Sequence, residues 1–179
     1  MAAIDFSLYL KFFVGLFAII NPLGLLPVFV SLTGHMQPDE RRKTNTTAHI
    51  AVMVILMVSM CMGQLILDGF GISLASFRIA GGSLITLIAW SMLQGKLGEV
   101  KHNKQEKGEL AARESIAVVP LALPLMAGPG AISSSIVYAS QKTLTELMGM
   151  FVVVMAFAYC SWLIFRAAPL LFKLMGNTG

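Results

Sequence analysis

The stretch that decides the fold is "VGLFAIINPLGLLPVFVSL" (14–32). It carries no charge, and with the residues before it the apolar run from about Lys11 to Thr33 is long enough to cross a bilayer. At its centre stand Asn21, Pro22 and Gly24, which are turn residues. Proline removes a backbone donor and clashes with the preceding turn. The groups so freed cost several kcal/mol each in lipid, so such a break is tolerated only where protein or a water-filled cavity meets them.

Working outward, the rest of the chain has the same character. Of 179 residues, 56% are hydrophobic and 12% charged. Further apolar stretches run from about His49 to Leu67, Ile79 to Gln94, Ser115 to Ser140 and Leu147 to Phe165. The expected fold is an all-α polytopic membrane protein. Alternating ten-residue segments of the kind that build a transmembrane β-barrel are absent. Cys61 and Cys160 fall inside apolar spans, where the expectation is buried packing residues rather than a disulfide or metal pair.

The connections differ in charge. "GHMQPDERRKTNTT" (34–47) holds Arg41, Arg42 and Lys43, and the connection of about 95–114 holds Lys96, Lys101, Lys104, Lys107 and Arg113. The tail carries Arg166 and Lys173, while the connection after Asp68 has no basic residue before Arg78. The positive-inside rule puts both basic loops in the cytoplasm and the N-terminus outside. The net charge of +4 is therefore read as an orientation signal, not as a nucleic-acid footprint.

The fourth stretch, "SIAVVPLALPLMAGPGAISSSIVYAS" (115–140), is also interrupted. Laid over "PLGLLPVFVS" (22–31), "PLMAGPGAIS" (124–133) matches Pro22 with Pro124, Leu23 with Leu125, Pro27 with Pro129 and Ser31 with Ser133. The two prolines share a spacing. This pattern predicts an inverted-repeat helical bundle with its first and fourth helices broken, lacking a sixth helix. The repeats would span about 5–95 and about 115–179, joined by a loop of about 96–114, in a single membrane domain.

Two opposed breaks at the midplane would suit a zwitterion. Half-helix N-termini offer donors and partial positive charge to a carboxylate, and exposed carbonyls suit an ammonium group. The candidate substrate-binding residues are Asn21, Pro22, Gly24, Ala127, Gly128, Pro129, Gly130 and Ser133. Arg78 and Asp68 are candidates for a gate or ion pair at the outer mouth, although a snorkelling Arg and a loop Asp are the bland alternatives. His49 reads as structural, Gly81 and Gly82 as packing positions, and Trp90 and Trp162 as interface anchors. No catalytic set, nucleotide motif or metal motif is present, so neither an enzyme nor a cofactor is expected.

"INPLGLLPVFVSLTG", "FGISLASFRIAGG" and "VVPLALPLMAGPGAISS" resemble the signature segments of the MarC family of bacterial and archaeal membrane proteins. The resemblance covers essentially the whole chain. It implies six spans, two inverted repeats and a bacterial inner membrane location. Its SnatA-like members imply transport of small neutral amino acids such as glycine and alanine, driven by a proton or sodium gradient. It also places the broken-helix motifs on Asn21, Pro22 and Gly24 and on Ala127 to Gly130, with Arg78, Gly81 and Gly82 in the RIAGG segment. The family pattern continues past "GNTG" (176–179) into a sixth hydrophobic helix, so a chain ending there would lack one wall of the second repeat. The expected partners are the lipid bilayer and a small-molecule substrate, with a homo-oligomer as an option and no nucleic acid. The competing readings are a channel or exporter for another solute, and a membrane protein that transports nothing.

Overall fold

The computed structural model describes residues 6–93, 121–122, 125–140 and 142–168. Among them every regular element is helical: α1 (Phe6–Ile20), α2 (Pro22–Thr33), α3 (Pro38–Gly69), α4 (Leu74–Leu93), α5 (Pro129–Ala139) and α6 (Leu144–Arg166). α3 and α6 are each long and apolar enough to cross a membrane. α1 and α2 make a further span if taken as one element, bent by 42° at Asn21.

The outer faces are apolar. Ile50, Val54 and Val58 recur along α3 and Met148, Val152, Met155 and Tyr159 along α6, all exposed. The opposite stripes, Val52, Leu56 and Met60 on α3 and Met150, Val154 and Phe157 on α6, are buried. Both faces of each helix are thus hydrophobic, which water would not tolerate and lipid requires.

The short helix α5 stands at the centre, packed against α1, α3 and α4. Small residues let it in. A Cβ on Gly63 of α3 would collide with Ile136, and one on Gly81 of α4 would lie 2.9 Å from Ser133 Cβ. Without a hydrophobic driving force between helices in lipid, such close backbone approach is how they gain contact. α6 packs against α1, α2 and α3. Its Gly149 leaves room for Tyr9, and Phe157 and Phe165 meet Phe17 and Phe29 at centroid distances of 5.2 and 4.9 Å.

A polar clamp fastens α3 to α6. Asn45 Nδ2 donates to the Trp162 carbonyl at 3.1 Å, and Trp162 Nε1 donates to Thr46 Oγ1 at 3.1 Å. His49 donates from Nδ1 to the Asn45 carbonyl at 2.8 Å, which leaves Nε2 of the neutral ring to accept the Ser161 hydroxyl at 2.9 Å. Trp162, expected as an interface anchor, is therefore also an interhelical bridge.

Several boundaries differ from the sequence expectation. Residues 34–47 are not a loop: only Gly34 to Gln37 are non-helical, and α3 begins at Pro38. Pro38 at the first helical position, the Gln37–Glu40 capping box and acidic Asp39 start the helix ahead of the basic run. The connection between α3 and α4 is likewise shorter. Asp68 lies in the last turn of α3, and α4 starts at Leu74, where Ser73 Oγ accepts the N–H of Ser76 at 3.0 Å. Gly71, with φ +67°, makes the turn. Cys61 is exposed on the apolar outer stripe instead of buried. The expected loop of about 96–114, with Pro120 and Pro124, lies outside the described residues.

Candidate functional site

The first break is built by Asn21. Its backbone is left-handed, φ 47° and ψ 65°, the one non-glycine residue with positive φ among those described. Asparagine is among the few side chains that visit this region, because its short amide bonds locally. Here Asn21 Oδ1 caps α2 by accepting the Gly24 N–H at 3.1 Å. The chain still pairs on both sides, with Asn21 N–H donating to Phe17 at 3.0 Å and Leu25 N–H to Asn21 at 3.2 Å. Pro22 has no N–H to offer the Ala18 carbonyl, and Gly24 has given its own to Asn21. The end of α1 therefore presents carbonyls, while Asn21 keeps its Nδ2 donors.

Pro22 is buried, whereas Leu23 and Gly24 are exposed. Gly24 cannot be enlarged, since an added Cβ would strike the Asn21 amide.

The second break follows a different geometry. Residues around it form a π turn, with Ala127 N–H donating to the Ala122 carbonyl at 2.8 Å. Gly128 then extends, φ −71° and ψ 172°, and Pro129 opens α5. Gly128 has no side chain to cap that helix. The first-turn N–H groups of Gly130 and Ala131, both in buried residues, thus receive no side-chain acceptor among the described residues. Where α2 is capped by its own asparagine, α5 is open.

The two breaks adjoin. A Cβ on Gly130 would lie 3.4 Å from Cγ2 of Ile19 and 3.0 Å from Cγ1 of Ile85. Ile19 stands two residues ahead of Asn21, so the end of α1 lies beside the start of α5. One turn along α5, buried Ser133 rests on Gly81 of α4 and makes no side-chain hydrogen bond among the described residues. Ser135 instead bonds back to the Ala131 carbonyl at 2.8 Å, a local role the sequence reading allowed for the serines.

Arg78 and Asp68 do not join this site. Both are exposed, and no ion pair links them among the described residues. Asp68 Oδ1 accepts from Gln64 Nε2 at 2.9 Å on its own helix. Arg78 lies one turn into α4 and is exposed. The expected ion pair between them is thus not formed among the described residues. Sequence reading also missed Ile19 and Ile85, which carry no chemistry of their own and are found only by the packing.

Apolar faces turned outward, a span bent at its centre and a second break packed on the first define an integral membrane protein of the broken-helix kind. The chain belongs to the MarC family of integral membrane proteins, whose family model matches residues 6–179. It is 56% identical to the UPF0056 membrane protein YhcE of Escherichia coli over 98% of this chain and 82% of that one. A UPF0056 membrane protein of Buchnera aphidicola is 47% identical over the same shares. One from the archaeon Pyrococcus abyssi is 39% identical over 73% of this chain and 63% of its own. No solved structure matches.

Proposed function

We propose that this chain is a secondary transporter of small neutral amino acids, working by alternating access around its two helix breaks, with a proton or sodium ion as the coupling ion. The observation that carries the reading is the packing of Ile19 on Gly130, beside uncapped α5 donors on one side and freed α1 carbonyls on the other. A carboxylate suits the N–H groups of Gly130 and Ala131 together with Asn21 Nδ2. An ammonium group suits the carbonyls at the end of α1. The Ser133 hydroxyl, packed on Gly81, suits a substrate with a small side chain.

In this reading Asn21, Pro22, Gly24, Ala127, Gly128, Pro129, Gly130 and Ser133 form the binding region, and the two halves act as inverted repeats rocking about it. The Arg- and Lys-bearing ends face the cytoplasm of a bacterial inner membrane, with the N-terminus outside. The test is uptake of labelled glycine or alanine into proteoliposomes under an imposed proton or sodium gradient. Asn21→Ala and Gly128→Leu abolish uptake on this account; uptake unchanged in both overturns the site.

A further inference from the structure

We propose that the cleft at the arginine-bearing end of the bundle holds the phosphate of an anionic phospholipid headgroup, with phosphatidylglycerol the best match. The cleft has a volume of about 330 Å³ and is lined by Arg41, Arg42, Arg166, Asn45, Phe29 and Phe165, among others. It gathers the end of α2, the start of α3 and the end of α6. Three arginines line it, two from the start of α3 and one from the end of α6, and no carboxylate among the described residues does.

The positive charge is not neutralised by an ion pair among the described residues. Among the described residues the ion pair is Lys142–Glu146, on α6 and the connection before it. Asp39 and Glu40 sit in the first turn of α3 but do not line the cleft, and Glu40 accepts the Gln37 N–H at 3.0 Å. Arg41 is pinned, donating through Nε and Nη2 to the Thr33 carbonyl at 3.3 and 3.0 Å. Arg166 lies over the Trp162 ring, 5.1 Å from its centroid. Arg42 is exposed and makes no side-chain hydrogen bond or ion pair among the described residues. Two guanidiniums are thus held in place and one is free to close, an arrangement that suits phosphate oxygens.

A second observation concerns a neutral acceptor. Asn45, 3% exposed, lines the same cleft, and its Oδ1 is buried without a hydrogen-bond partner. That atom accepts only, so the occupant should bring a hydroxyl or ammonium donor as well as its anion. The phosphoglycerol headgroup brings both. The phenyl rings of Phe29 and Phe165 supply an apolar wall, and the tail ends of the apolar helices put the cleft where lipid headgroups lie. Free phosphate satisfies the arginines and can offer Asn45 a P–OH, but it leaves the rings uncovered.

The test uses the full chain purified in a neutral detergent. Native mass spectrometry and thermal shift are read against short-chain phosphatidylglycerol, phosphatidylcholine and inorganic phosphate. Saturable retention of phosphatidylglycerol over phosphatidylcholine is expected, weakened about fivefold for each charge removed in Arg42→Gln and Arg166→Gln. Both substitutions are at exposed positions, and Arg42→Gln alone breaks no bond within the described residues should the double variant fold poorly. Equal retention of the two lipids, undiminished retention in Arg42→Gln and the double variant, or an equal shift from phosphate at the same concentration would overturn the assignment.

Discussion

Ile19 of α1 packs against Gly130 of α5, its Cγ2 3.4 Å from the place a Cβ would take on the glycine. One residue closes the first half of a broken span and the other opens the second interrupted helix. Their contact sets the end of α1 beside the start of α5, so the two backbone interruptions adjoin. Everything argued about transport depends on that adjacency.

The left-handed backbone at Asn21 predicts an unusual substitution order. Asn21→Gly keeps the conformation and loses the amide cap, costing a few tenths of a kcal/mol. Asn21→Ala loses the cap and adds the left-handed penalty, together about 2 kcal/mol. Reversible unfolding in mixed micelles should rank the glycine variant well above the alanine variant, and equal stabilities would contradict the cap.

Adjacent glycines on α4 should respond in opposite ways. Gly81 faces Ser133 at contact distance, while nothing lies within 4 Å of a Cβ on Gly82. Gly81→Val should force α4 from α5 and lower the melting temperature, whereas Gly82→Val should leave it nearly unchanged or raise it slightly, through a helix-propensity gain of a few tenths of a kcal/mol. Gly149 of α6, against Tyr9, and Gly15 of α1, with nothing within 4 Å, should differ in the same way.

The α3–α6 clamp can be measured as a coupling. A double-mutant cycle of His49→Leu and Ser161→Ala isolates the Nε2 to Oγ bond of 2.9 Å. Hydrogen bonds between membrane helices average about 0.6 kcal/mol and reach about 1.7. A coupling in that range is expected, and zero would mean the ring and hydroxyl are not partnered in the folded protein.

Much of this was legible in the sequence, but unevenly. The break at Asn21–Pro22–Gly24 was readable because proline and glycine in an uncharged run admit few explanations. The direction of the Asn21 backbone was not, since the residue type says turn without saying which turn. Residues 38–47 were misread as loop because a run of Arg and Lys resembles a solvated connection. Gln37, Pro38 and Glu40 are a helix start when read for capping. Asp68 and Arg78 suggested an ion pair through their charges and nearness in sequence. Gln64 instead bonds the carboxylate from one turn back on the same helix. The arginine cleft could not be read at all, because Arg41 and Arg166 meet only when α3 packs on α6.

The adjacency of the two breaks is best tested by covalent distance. In a background with Cys61 and Cys160 replaced by serine, Ile19→Cys and Gly130→Cys are introduced together and the membranes treated with a short thiol-to-thiol crosslinker, followed by peptide mass spectrometry. The account predicts an intramolecular crosslink between positions 19 and 130, formed in native membranes and lost on denaturation before treatment. Absence of that crosslink, while a control pair at positions 9 and 149 joins efficiently, would separate the breaks and remove the site.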